Sequence, residues 1–185
     1  QGLHVVPFKK PTTEELDHDF LWRVHKEVPA KGQIAIFNRS HYEDIIAVRV
    51  KKIFPDPVWK RRYKHVLDFE SMLAEEGTVI IKLFLNISKE EQKKRLESRL
   101  QDPDKLWKFC MDDLDDRNRW DEFQTAYQDL IEKTSTPEAP WYIIPADRKW
   151  YRNLVVARLM VEKLRHLQLS LPTPNFDPAS IIIPD

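Results

Sequence analysis

Asn38, Arg39, Ser40, Glu43 and Asp44 set an amide, a guanidinium, a hydroxyl and two carboxylates directly after the apolar run Ile34-Ala35-Ile36-Phe37. A guanidinium between a strand end and a helix N-terminus suits a phosphate, because it adds a permanent charge and a forked donor to backbone N–H groups that already favour anions. The apolar run follows Gly32 and is short, so it reads as a strand buried on both faces of a parallel sheet. In open α/β sheets ligands bind outside the carboxyl ends of the strands, which is where Asn38, Arg39 and Ser40 fall. Ser40 with Glu43 three residues on is also the capping-box pattern, so these two have a purely structural reading as a helix start.

Four strands and the helices between them would position these groups. Residues 3–8 read as a short strand ended near Pro7, and Thr12 with Glu15 opens a helix through Leu16, Phe20, Leu21 and Val24. Asp19 and Arg23 lie four apart on it and can pair with each other. Residues 42–54 are expected to be helical, with Ile45, Ile46, Val48 and Val50 inward and Arg49, Lys51 and Lys52 on a solvated face. Pro55-Asp56-Pro57 breaks the chain before a long helix over 58–75, whose stripe of Trp59, Tyr63, Val66, Phe69 and Leu73 reads as core. Gly77 ends it, and 78–87 is the clearest buried strand. Ser88 and Glu91 then repeat the cap signature and start a basic helix. Its Arg95 and Arg99, one turn apart, either grip successive phosphates of a linear polyanion or pair with Glu91 and Asp102. A break at Asp102-Pro103-Asp104, with Lys105 and Lys108 after it, leads to a helix over 112–134 that carries Arg117 and Arg119 opposite an apolar stripe. Residues 141–145 are the last strand and deliver Asp147 and Arg148 to the sheet end before a helix over 150–167. The alternation predicts an α/β fold with the four strands in one parallel sheet, Asn38 and Asp147 at the same end.

The totals narrow the function classes. At 185 residues the chain is one domain's worth, here 1–170, with a Pro-rich tail over 171–185 expected to be extended or poorly ordered unless it docks on a partner. Lysine plus arginine equal aspartate plus glutamate at 30 each, so no global field favours a nucleic acid polymer or a membrane, and an anionic substrate must meet a local basic cluster. One cysteine, Cys110, excludes an internal disulfide and fits a reducing, cytoplasmic setting. No apolar stretch approaches a membrane span, and the first residues lack the layout of a signal peptide. Three glycines in the whole chain is few.

The run IFNRSHYEDIIAVRV resembles the second motif of the polyphosphate kinase 2 family, which is similar to P-loop kinases such as thymidylate kinase. LDHDFLWRVHKEVPAKGQ, GTVIIKLFLNISKEEQKKRL, DPDKLWKF, DDRNRWDEFQTAY and APWYIIPADRKWYRNLVV resemble further family segments, in the family's order. The resemblance implies a three-layer P-loop-kinase-like fold with a helical lid over about 95–125, and Mg2+-dependent phosphoryl transfer between inorganic polyphosphate and nucleoside mono- or diphosphates (AMP/ADP or GDP/GMP). It implies Arg39 on the transferring phosphate with Asn38, Glu43 and Asp44 around it; Glu43 and Asp44 are candidates for the acceptor side or for Mg2+ through water, with Asp44 named for the metal. Arg95, Arg99, Lys105, Lys108, Arg117 and Arg119 become lid contacts for polyphosphate; Lys9, Lys10, Asp147 and Arg148 become nucleotide contacts; a homo-oligomer is expected. The family opens with a strand and a glycine-rich loop G-x-D-x-x-G-K, and the sequence contains neither. Losing that strand from the middle of the sheet would leave unpaired backbone edges at about 1–3 kcal/mol per buried group. The chain is therefore expected to be a fragment whose first segment lies upstream. The competing reading is a truncated, non-catalytic relative that serves as a binding or oligomerisation module.

Overall fold

A computed structural model describes residues 2–170 and 173–184. Strand β1 (Leu3–Pro7) leads through two short helices, α1 (Thr13–Asp17) and α2 (Trp22–His25), to β2 (Ile34–Asn38). Helices α3 (Glu43–Val50) and α4 (Asp56–Glu75) follow, then β3 (Lys82–Asn86). Next come α5 (Lys89–Gln101), a 3-10 turn (Pro103–Lys108), α6 (Asp112–Asn118) and α7 (Trp120–Thr134), before β4 (Trp141–Pro145) and α8 (Lys149–His166).

All pairing is parallel, as an α/β chain with helical crossovers requires. β1 pairs with β2, Leu3 opposite Ile34 through Pro7 opposite Asn38, and β3 pairs with β4, Lys82 opposite Trp141 through Asn86 opposite Pro145. The expected single sheet does not form: the strands make two separate two-stranded sheets, and no described strand joins them. Asn38 and Asp147 each stand at the carboxyl end of their own pair. Strands patterned for burial on two faces are covered on one. Val6, Phe8 and Phe37 pack with Val24, Phe69 and Leu73, whereas Leu3 and Val5 are 57% and 54% exposed and Ile143 is 58% exposed. Helix α8 likewise buries no residue among its 18.

The main core lies where α3, α4 and α7 meet, built from Tyr42, Ile45, Ile46, Val48, Val50, Trp59, Tyr63, Val66, Ala126 and Leu130. Ile45, Ile46, Val66 and Leu130 are completely enclosed, each contributing about 1.5–3 kcal/mol by leaving water. Of the residues expected on a solvated face, Arg49 and Lys51 make ion pairs instead, Arg49 Nη1 2.6 Å from Asp129 and Lys51 Nζ 2.7 Å from Asp116, while Lys52 is exposed as expected, just past the helix in the left-handed region at φ 53°.

Several elements are shorter than expected, for local reasons. The Thr12 capping box forms, with Thr12 Oγ1 accepting from the Glu15 amide and Glu15 from the Thr12 amide, yet the helix stops at Asp17. Asp19 Oδ1 accepts from the Leu21 N–H at 2.9 Å, an Asx turn that competes with helix continuation. The helix expected over 112–134 divides at Arg119 (φ −100°, ψ 25°) into two pieces, each with an acidic first turn, Asp112, Asp113 and Asp115 in one and Asp121 and Glu122 in the other. Carboxylates at two helix N-termini favour two helices over one. The strand expected over 78–87 is ordered as β only where β4 offers a partner, over five residues.

Candidate functional site

β2 ends at Asn38, and the next residue turns the chain with φ 64°, a left-handed conformation that costs a non-glycine residue about 1–2 kcal/mol. That residue is Arg39. Its exposed side chain makes no hydrogen bond or ion pair among the described residues. Ser40 does not cap the helix as expected. A turn intervenes, closed by Glu43 N–H to Ser40 C=O at 3.1 Å, so α3 starts at Glu43 with Tyr42 as an N-cap lacking a side-chain bond, and Ser40 Oγ accepts from the Tyr42 amide at 3.4 Å. Glu43 is thereby left without the cap partner its spacing suggested. Burial pushes its carboxyl pKa above the ordinary value; Arg39 and Lys51 pull it down, while Asp44 and Asp116 push it further up. The core residue Tyr127 faces the same charges: its pKa is raised by burial and by Glu43, and lowered by Arg39. Arg39, Lys51 and Asp116 therefore act on the charge of Glu43, and Glu43, Arg39 and Asp116 on Tyr127.

Asp44 is a cross-link. Arg23 does not pair with Asp19; its Nη2 reaches Asp44 Oδ2 at 3.3 Å, while Nη1 donates to the Lys9 carbonyl at 2.9 Å and lies 3.5 Å from Glu15. Arg62 adds a bond to the Asp44 carbonyl at 2.5 Å. Burial raises the Asp44 pKa, opposed by Arg23 and Arg62. The loop of Lys9 and Lys10 after β1 is thus tied to the first turn of α3, with both lysine side chains exposed.

The basic residues along 95–119 are engaged internally. Arg95 pairs with Glu91 at 2.8 Å and donates to the Ala146 and Asp147 carbonyls at 2.6 and 3.1 Å. Arg99 meets Asp113 at 3.1 Å, in place of Asp102, which takes Lys105. Arg117 donates to the Lys89 carbonyl and Gln92, and Arg119 to the Val50 carbonyl at 2.9 Å. Lys108 lies over the Trp107 ring. Asp147 Oδ1 accepts from the Ser88 N–H at 2.7 Å, on the wall of an open cleft of about 430 Å³ at the carboxyl ends of β3 and β4 that also holds Asn86, Arg148 and Tyr151. Of the five arginines expected to meet phosphate between 39 and 119, only Arg39 has no partner among the described residues.

A sequence model described as Polyphosphate kinase 2 (PPK2) matches residues 1–171. The chain belongs to the polyphosphate kinase 2 family. It is 53% identical over 182 residues to the AMP/ADP-polyphosphate phosphotransferase of Meiothermus ruber, which accounts for 98% of this chain and 68% of that one. It is 39% identical to the ADP-polyphosphate phosphotransferase of Rhodopseudomonas palustris, covering 93% of this chain and 64% of that protein. The crystal structure of polyphosphate kinase 2 from Arthrobacter aurescens TC1 superposes with a TM-score of 0.93 at 49% identity, over 97% of this chain and 63% of that chain. The chain thus spans about two thirds of the length of these relatives.

For a polyphosphate kinase 2 the donor set bears on the metal. Among the described residues no group of three or more His, Cys, Asp or Glu side chains converges on one point. Asp44 is already paired with Arg23. Mg2+ keeps several waters and takes one or two carboxylates plus phosphate oxygens, so this set fits an ion carried mainly by substrate, with Glu43 as the carboxylate free of a fixed partner. The sequence reading gave Arg23 and Lys51 other partners or none and did not single out Asp116. It also missed a buried network of Tyr42, Glu70 and Lys82, which a lysine inside the apolar run TVIIKLFLNI could have signalled.

Proposed function

We propose that this chain forms the acceptor and lid portion of an enzyme that moves a terminal phosphoryl group between inorganic polyphosphate and an adenosine mono- or diphosphate. The observation that carries this reading is Arg39: a guanidinium at a strand end with no partner among the described residues, where Arg95, Arg99, Arg117 and Arg119 are all engaged internally. Phosphoryl transfer needs positioning and neutralisation of charge more than covalent help, and such a donor supplies both. The names of the relatives from Meiothermus ruber and Rhodopseudomonas palustris support the substrate class.

Lys9 and Lys10 are assigned to the acceptor phosphates and Asp147 with Arg148 to the nucleotide. Arg95, Arg99, Lys105, Lys108, Arg117 and Arg119 are assigned to polyphosphate once it displaces their internal partners. Glu43 holds Mg2+ through water, with Asn38 beside it as a neutral ligand to water or phosphate, and the metal neutralises phosphate charge when bound. Asp44 orients the acceptor loop through Arg23. The single cysteine supports a cytoplasmic setting.

The test incubates the full-length protein with polyphosphate, Mg2+ and AMP or ADP and follows nucleotide phosphorylation. Transfer that requires polyphosphate is the expected result. Tight nucleotide or polyphosphate binding with no transfer would favour the non-catalytic module instead.

A further inference from the structure

Three residues downstream of Arg39 the chain enters a buried polar network that the transfer reaction does not itself use. Lys82 Nζ lies 2.7 Å from Glu70 Oε2, 3.1 Å from the Tyr42 hydroxyl and 2.6 Å from the Thr134 carbonyl. The Tyr42 hydroxyl also donates to Glu70 Oε1. All of these residues are buried, Glu70 at 4% exposure and Lys82 at 5%. A charge pair this deep is seldom a net gain over apolar packing, because desolvation offsets the attraction. What such a pair fixes is geometry.

The geometry it fixes is that of the turn after β2. Tyr42 is the N-cap of α3, Glu70 belongs to α4 and Lys82 is the first residue of β3, so three elements meet at one hydroxyl. Among the described residues no backbone ladder connects the sheet of β2 to the sheet of β3, and this network ties the turn after β2 to the first residue of β3. Between Arg39 and Tyr42 lies His41, itself buried, with its Nε2 3.5 Å from Glu70 Oε1 and neither ring nitrogen hydrogen-bonded. A buried polar group left unpaired costs free energy, as does the left-handed backbone at Arg39. Both persist only where the surroundings over-determine the conformation.

We propose that Glu70 and Tyr42 are positioning residues for phosphoryl transfer: the Tyr42 hydroxyl, clasped by Glu70 and Lys82, locks the turn that aims Arg39 at the transferring phosphate. The inference rests on the function proposed above. It assigns Tyr42 an effect that passes through Arg39 and through no other route.

A double-mutant cycle in the full-length protein tests this, with kcat and KM for polyphosphate measured on wild type, Tyr42→Phe, Arg39→Ala and the double variant. Tyr42→Phe keeps the ring and the Lys82–Glu70 pair, and it should lower kcat roughly ten- to a hundredfold, the cost of a displaced catalytic group, with KM nearly unchanged. In the Arg39→Ala background the same change should alter kcat by less than about twofold, since coupled residues are not additive. Glu70→Asp, which keeps the charge but withdraws the carboxylate, should reproduce the Tyr42→Phe pattern. Effects that multiply in the double variant, or a Tyr42→Phe effect confined to KM, would overturn the proposal while leaving the enzymatic reading intact. A wild type without polyphosphate-dependent transfer would remove both.

Discussion

Glu43 is less stable ionised in the fold than it would be in water, because burial raises its pKa more than Arg39 and Lys51 lower it. With the folded value above the unfolded one, near 4.3, the fold favours the protonated acid. Its stabilisation is present at low pH and is lost as pH rises through the raised folded value. Glu43→Gln should therefore melt higher than wild type at neutral pH, by about 2–4 °C for each kcal/mol relieved, and the gap should close below about pH 4. Thermal melts of both proteins across that range check it; equal melting at pH 7 would show that Glu43 bears no such strain. A functional carboxylate is where strain of this kind is expected to be retained. The place of Arg39 just past the end of β2 was legible in the sequence, because the apolar run stops there. Tyr42, Glu70 and Lys82 were not: Lys82 meets partners 12, 40 and 52 residues away, and no local pattern encodes such contacts.

The elements between β3 and β4 carry all six basic side chains assigned to polyphosphate along 95–119, and their internal pairing defines what polyphosphate must displace. Arg99 and Asp113 are about one third exposed, so their pair is worth little and is readily exchanged for phosphate. Arg99→Ala should raise KM for polyphosphate with kcat little changed, and its effect should shrink at high ionic strength as screening weakens the lost contact. A salt-independent fall in kcat would place Arg99 at the reacting phosphate. The four strands were readable, and β4 falls at residues 141–145 as expected. The interruptions were not. The break at Arg119 depends on that side chain reaching the Val50 carbonyl, 69 residues away, as well as on the acidic first turn of α7.

At the scale of the molecule, parallel α/β architecture follows from the alternation of strands and helices, whereas the division of the four strands into two pairs is not encoded in that alternation. The apolar faces of Leu3, Val5 and Ile143 are patterned for cover they lack, and the chain spans about two thirds of its relatives. Expressed alone, the 185 residues should bind an apolar dye and show little or no polyphosphate-dependent transfer, since no glycine-rich loop holds the phosphates; full activity would assign that loop no part. The claim on which the whole account turns is that Arg39 is a preorganised donor to the transferring phosphate. Steady-state kinetics of the full-length protein with Arg39→Ala and Arg39→Lys, at varied polyphosphate, tests it most directly. Alanine should lower kcat by roughly two to three orders of magnitude, and lysine should restore only part of it, because an ammonium cannot form two parallel bonds. An Arg39→Ala protein with kcat near wild type would contradict the account and reduce this strand end to a turn into a helix.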